Sequence, residues 1–244
     1  ISCTKGTQIE DAEFSQTTGH GGEPCMNLMH WIVTYICKLS LNVMYRVDSK
    51  ELAKVSQTGP LITYTNHTGM VEAPLLYTYL QPRKKLTAIA KVETWDNWFL
   101  NWVFTLWGII PIRRGEADMV AIRKALEVLG KGYILGISPE GTRSREGKLL
   151  RAHGGISMIA LHSGAPLQAI GHWGGENFGR NVKHFKRTDF RLRVGPVFTL
   201  DTHGERVTKD IRQQMADEMM YQLAKLLPEE YRGEYSDLEN ATEK

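Results

Sequence analysis

Leu61-Ile62-Thr63-Tyr64-Thr65-Asn66-His67-Thr68-Gly69-Met70-Val71-Glu72 runs from five strand-forming residues straight into a loop holding a histidine, a glycine and an acid. Residues 132–144, GYILGISPEGTRS, have the same build: an apolar strand, then a Pro-Glu-Gly turn with a cation. A buried strand that ends in such a loop is where α/β folds place reactive groups. Outward from these two stretches, strand-like and helix-like segments alternate. LTAIA (86–90), GIIPI (108–112), PLQAIG (166–171) and FRLRVGPVF (190–198) read as strands, the last with Arg191 and Arg193 facing out. Residues 119–129 place Met119, Ile122, Leu126 and Leu129 on one helical face, with Gly130 as the stop. Residues 155–163 read as helical, and 207–227 as a long amphipathic helix through Ile211, Met215, Met219 and Leu226. This alternation predicts one α/β domain with a mainly parallel central sheet flanked by helices.

The ends of the chain have a different character. Residues 1–25 are polar and Gly/Thr-rich and read as a flexible leader. No basic region precedes an apolar run with a small-residue cleavage site, so a secretory signal is not expected. Residues 26–48 hold a mostly apolar segment interrupted by Asn27, His30, Lys38, Ser40 and Asn42. A spanning helix needs about 20 predominantly apolar residues. The segment is therefore expected to lie in a membrane surface, with Trp31 and Tyr35 near the headgroups, rather than to cross it. Residues 49–228 form the expected α/β domain and 229–244 an acidic tail.

The net charge is +3 over 244 residues, but the first 25 residues hold one Lys against four acids and the last sixteen two bases against six acids. Residues 26–228 thus carry about +10. A basic body suits anionic partners such as phospholipid headgroups, a phosphate-bearing substrate or nucleic acid. No helix-turn-helix, zinc finger or RNA-binding signature supports nucleic acid. Cys3, Cys25 and Cys37 show neither Cys-x-x-Cys nor zinc spacing, and no Walker loop or dinucleotide fingerprint is present. Neither a metal nor a bound cofactor is expected.

His67 and Glu72 are five apart, so an unbroken helix would not bring them together. A turn at Thr68-Gly69 would fold the carboxylate back onto the imidazole. Glu72 would then orient the ring while the other nitrogen takes a proton from a substrate hydroxyl. In the second loop, Gly141 lets the backbone approach a ligand, Arg143 can bind phosphate, and Glu140 can bind a hydroxyl or orient a base. Residues 95–107, WDNWFLNWVFTLW, hold four of the six Trp and suit either a packed core or a lipid-facing surface.

The order NH-x4-E, GIIPIRR, PEGTRS and APLQAI, from about residue 60 to 171, resembles the glycerolipid acyltransferase superfamily, best known from 1-acylglycerol-3-phosphate acyltransferases. The resemblance implies that His67 is the general base, with Glu72 in the place of the family's usual Asp. Gly108, Ile112 and Arg113 match the motif whose Arg binds the acceptor phosphate, and Lys91, in AKVET, matches a further phosphate ligand. Glu140, Gly141, Thr142 and Arg143 match the motif that contacts the acceptor headgroup, and Pro166 the apolar fourth motif. The implied reaction moves a fatty acyl group from an acyl thioester (coenzyme A or acyl carrier protein) to the hydroxyl of a lysophospholipid, foremost 1-acylglycerol 3-phosphate. The protein would act as a peripheral or monotopic protein on membrane phospholipids at the cytoplasmic face. Alternatives are glycerol 3-phosphate, a lyso-aminolipid or phospholipid transacylation as acceptor chemistry, or a non-catalytic lipid-binding domain.

Overall fold

Alternate side chains of the central strands divide between two apolar layers, which makes the sheet the middle of a three-layer sandwich. In the computed structural model, which describes residues 28–69, 71–81, 85–113, 118–144, 146–202 and 204–241, seven strands form one sheet. They are β1 (Tyr45–Val47), β2 (Leu61–Thr65), β3 (Leu86–Lys91), β4 (Ile110–Ile112), β5 (Ile134–Ile137), β6 (Leu167–Trp173) and β7 (Thr188–Phe198). Their order is β1-β7-β6-β2-β5-β3-β4. β6, β2, β5, β3 and β4 are mutually parallel, β7 runs antiparallel to β6, and β1 is parallel to β7. The α/β class and the mainly parallel sheet agree with the sequence expectation. Arg191 and Arg193 are exposed on β7 while Phe190 and Leu192 are buried, as the alternation predicts.

Ile62, Tyr64, Leu135, Leu167 and Ala169 face one layer, built from α5 (Met119–Gly130), α6 (Gly155–Ser163) and α8 (Lys209–Ala224). Leu61, Ile134 and Ile170 face the other, built from α1 (Leu28–Met44), α3 (Glu72–Leu80) and α4 (Trp98–Leu106). The short helices α2 (Ser49–Leu52) and α7 (Phe178–Val182) lie in connections. Side-chain oxygens of Asn97, Asp118 and Thr208 cap α4, α5 and α8.

Three expectations change in detail. α5 buries Ala121, Ala125, Val128 and Leu129, while Met119 is exposed and Ile122 and Leu126 are only partly covered. Small residues face the sheet there because they let the helix approach closely. The segment expected to trail as an acidic tail is packed down through residue 241. Tyr235 is buried, its hydroxyl donates to Asp217 Oδ1 at 2.7 Å and accepts the Ala152 N–H at 3.0 Å, and Leu238 joins the α8 core. The N-terminal helix ends at Met44, because Tyr45–Val47 pair with β7 as a sheet edge. The expected leader, residues 1–25, lies outside the described residues.

α1 carries its polarity the wrong way round for a water-facing helix. His30, Thr34, Lys38 and Asn42, spaced by four, turn inward. His30 Nδ1 meets Leu106 O at 3.2 Å, Thr34 Oγ1 accepts from Trp107 Nε1 at 3.0 Å, Lys38 Nζ lies 4.4 Å over the Tyr79 ring, and Asn42 Oδ1 accepts from the Tyr79 hydroxyl. Leu28, Ile32, Tyr35, Ile36, Leu39 and Val43 form the exposed stripe. Among the described residues, no helix is long and apolar enough to cross a membrane.

Candidate active site

The site is built where β2 runs out of strand partners. Asn66, buried at the carboxyl end of β2, continues the pairing with β6 through its side chain. Its Nδ2 donates to His172 O at 2.9 Å, its Oδ1 accepts from the His172 N–H at 3.0 Å, and His172 Nε2 lies 2.8 Å from Asn66 O. The acceptor is a carbonyl, so Nε2 carries the proton. Burial holds His172 below the usual histidine range, and its ring stacks on Phe190 with centroids 5.0 Å apart. The chain therefore enters His67 from a residue tied at three points. In the sequence His172 is only a lone histidine inside an apolar strand, with nothing beside it to mark a role.

The loop after β5, the other neighbour of β2, grips His67 by its main chain. The His67 N–H donates to Glu140 Oε1 at 2.9 Å, and the His67 carbonyl accepts from the Ser144 N–H at 2.7 Å. Glu140 Oε2 accepts the Leu150 N–H at 3.2 Å. Glu140 is 1% exposed. The expectation that it contacts an acceptor headgroup is corrected: its carboxylate is a buried bridge between two main-chain segments, and both oxygens are engaged. Gly141 is required at the turn, because it sits at φ +63° and a Cβ there would lie 2.8 Å from His153 Cδ2.

On the side-chain side, His67 Nδ1 lies 2.6 Å from Glu72 Oε1, and the same oxygen accepts the Gly69 N–H at 2.8 Å. The turn at Thr68-Gly69 does fold the carboxylate back, and Glu72 opens α3, where the helix N-terminus favours negative charge. Burial alone would raise the Glu72 carboxyl. The His67 ring and the N–H groups of Gly69 and Glu72 more than offset this and hold it at about 2. A charged Glu72 accepts from Nδ1–H and leaves Nε2 as the nitrogen that can take a proton. The His67 side chain is 21% exposed and that of Glu72 only 4%, so the imidazole can be reached from outside while its partner cannot.

The cations follow the strand order. Lys91 ends β3, Arg113 follows β4, and the two strands pair with Lys91 opposite Ile112. Arg143 and Thr142 are exposed beside Ser144. His67, the 138–144 loop, Lys91 and Arg113 therefore occupy the carboxyl ends of four consecutive strands, β2-β5-β3-β4. Strands about 4.8 Å apart put the ends of β2 and β4 roughly 14 Å from each other, so Arg113 is the outermost cation and Arg143 the innermost. Beside them the aromatic stripe splits both ways: Trp95 and Trp107 are buried, while Trp98 (80% exposed), Phe99 and Trp102 face out.

Glu140 also sets a pH dependence. Burial pushes its carboxyl up to about 7 against its two N–H donors, and the charge on Glu72 adds to the rise. A carboxyl raised in the folded state favours folding below its ordinary pKa and loses that contribution as pH climbs through the folded value. Between about pH 5 and 8 the Glu140 contribution is expected to fall by up to about 3 kcal/mol. Glu140→Gln removes the titration, so denaturant unfolding across that range should show a flatter profile than the wild type. Equal slopes for the two proteins would show that Glu140 does not titrate there.

The sequence model of a family described as Acyltransferase matches residues 46–173, just over half of the chain and all of the constellation described above. The chain belongs to the Acyltransferase family. It is 25% identical over 144 residues to a chloroplastic 1-acyl-sn-glycerol-3-phosphate acyltransferase of Brassica napus, a match covering 58% of this chain and 41% of that protein. It is 33% identical over 112 residues to a lyso-ornithine lipid O-acyltransferase of Pseudomonas aeruginosa, covering 46% and 42%. The chain thus spans less than half the length of these curated relatives. In fold it is similar to the crystal structure of the 1-acyl-sn-glycerophosphate acyltransferase PlsC of Thermotoga maritima, with a TM-score of 0.57, 20% identity, and coverage of 88% of this chain and 81% of that one.

Proposed function

We propose that this acyltransferase-family protein moves a fatty acyl group from an acyl thioester to the free hydroxyl of a lysophospholipid, with 1-acylglycerol 3-phosphate as the first candidate acceptor. The observation that carries the reading is the 2.6 Å His67–Glu72 contact on a main chain held from both sides, next to a row of cations at one sheet edge. His67 Nε2 removes the acceptor proton, and the acceptor oxygen attacks the thioester carbonyl. The carbonyl re-forms as the thiolate leaves with a proton returned from the imidazolium, so no acyl-enzyme is needed. Lys91, Arg113 and Arg143 supply the positive charge for an acceptor phosphate. The names of the Brassica and Thermotoga proteins support this acceptor, and that of the Pseudomonas protein supports testing a lyso-aminolipid beside it.

The outward stripe of α1 and the exposed Trp98, Phe99 and Trp102 of α4 support the protein lying on a membrane, since apolar and aromatic side chains at this density favour the interface. The deciding experiment offers purified protein a panel of lysolipids and glycerol 3-phosphate with labelled coenzyme A and carrier-protein thioesters, and identifies products by mass. Label should appear in phosphatidic acid. Arg113→Ala should raise the KM for a phosphate-bearing acceptor about tenfold with kcat largely spared. No labelled product from any acceptor would defeat the proposal.

A further inference from the structure

The connection from β6 to β7 carries more exposed positive charge than its ties to the fold, through Arg187 to α1 and β1 and through Arg180 to Asn177, account for. From Phe178 to Thr188 it carries Arg180, Lys183, Lys186 and Arg187 and no acid. Val182, Lys183, His184, Phe185 and Lys186 are all exposed, and Phe185 is exposed completely. Phe185 is also the one non-glycine among the described residues at positive φ, +53°. A large apolar side chain in the left-handed region costs backbone energy and here returns no core packing. The turn closes α7, with the Phe185 N–H on Val182 O at 3.1 Å and the Lys186 N–H on Asn181 O at 3.0 Å, but that turn does not call for a phenyl ring.

The position of the loop is equally specific. β2 and β6 are parallel, so Trp173, where β6 ends, lies at the same edge as His67; β7 is antiparallel and starts at that edge, with Arg191 opposite Trp173. The loop therefore stands beside the mouth of the site, across the sheet from Lys91 and Arg113. It is tied to the end of α1: Arg187 Nη2 donates to Asn42 O at 2.6 Å and to Tyr45 O at 2.7 Å, and Phe178 stacks on Tyr45 with centroids 5.2 Å apart. Val43, 68% exposed, and Met44 end α1 between those two carbonyls. The apolar stripe of the helix thus runs up to the basic loop.

We infer that residues 180–187 form a latch for an anionic bilayer, with Phe185 entering the interface and Lys183, Lys186 and Arg180 meeting lipid phosphates. The latch rests on the membrane reading of the site and adds an orientation: it sets the His67 edge of the sheet against the bilayer on one side, opposite Trp98 and Trp102. A lysolipid then reaches His67 from the membrane plane without passing through water.

The test uses the full chain with phosphatidylcholine vesicles, with and without phosphatidylglycerol. Wild type should bind the anionic vesicles more tightly, and salt should weaken that preference. Lys183→Glu with Lys186→Glu should weaken anionic binding on the order of tenfold or more and leave neutral vesicles nearly unaffected. Phe185→Ser should weaken both about tenfold. All variants should keep the wild-type unfolding transition and the wild-type turnover of lysolipid in detergent micelles. Loop variants that bind vesicles as wild type does would overturn the latch. Loss of vesicle binding in Leu39→Ser with Val43→Ser, while loop variants bind normally, would leave the α1 reading standing and the latch refuted. If the charge reversals slow only transfer from an acyl carrier protein, the loop reads an acidic protein and the lipid assignment is wrong. Wild type that binds no vesicle refutes the latch and the membrane reading together, while micellar turnover still reports on acyl transfer.

Discussion

His67→Ala is expected to reduce acyl transfer by about 10²–10⁴-fold, the range of a lost general base, with the fold intact. The main-chain bonds to Glu140 and Ser144 do not depend on the side chain, and the ring lies partly in solvent. What the substitution disturbs is Glu72. Its carboxylate keeps the Gly69 N–H but loses the ring that holds its pKa low, so it climbs from about 2 back toward the ordinary range or above. A carboxyl depressed in the folded state favours folding above its unfolded pKa and loses that contribution as pH falls through the folded value. The variant should therefore be less stable than wild type near neutral pH, and the gap should close on acidification, because wild type loses the Glu72 contribution as pH falls toward 2 and the variant has none left to lose. Single-turnover transfer measures the first effect and acid unfolding the second. Transfer at the wild-type rate would remove His67 as the base.

The legible part of the sequence was the part where one physical signal dominates. β2 and β5 are buried strands ending in glycine-bearing loops, and apolar runs followed by polar turns show directly in the chain. On α5 periodicity points to the wrong face, because it weighs large apolar residues, whereas contact with the sheet selects Ala121 and Ala125 for their size. The 229–241 segment has the composition of a tail because its acids outnumber Tyr235 and Leu238, although those two side chains are what fasten it. In α1 the polar residues argue against a spanning helix; their inward direction, which exposes the apolar stripe, depends on Tyr79, Leu106 and Trp107, far away in sequence.

At the site, a motif names residues without saying where their atoms point. The His67–Glu72 pairing could be anticipated because a turn between them is the only local way to bring them together. Glu140 could not be assigned in the same manner. A Glu beside a Gly and an Arg in a loop looks like a ligand-binding group, and only the register of β2 against β5 turns its carboxylate onto the His67 N–H. The Asn66–His172 clamp joins residues 106 apart across two strand ends, and nothing local announces it.

Glu72 is where the sequence departs from the family resemblance, and its geometry makes an opposite prediction from the motif. Glu72→Gln should lower turnover by about 10³–10⁴-fold, because an amide can present its NH₂ to Nδ1 and favour the tautomer with the proton on Nε2, the nitrogen that must accept one. Acceptor KM should change little, since the cations are elsewhere. Glu72→Asp restores the family's usual residue and should still fall about a hundredfold. The carboxylate sits 2.6 Å from the ring on a side chain whose length the surrounding turn already accommodates, with its oxygen also held by Gly69. Removing one methylene withdraws it by about 1.5 Å, and a displacement near 1 Å at a catalytic group costs roughly a hundredfold in rate. The helix that begins at Glu72 is packed through Leu75 and Leu76, so α3 cannot slide to close the gap without opening the core. The kcat for the two variants at saturating acceptor decides the matter. An Asp variant as fast as wild type would show that the turn at Thr68-Gly69 adapts freely, and a Gln variant as fast as wild type would remove Glu72 from the mechanism.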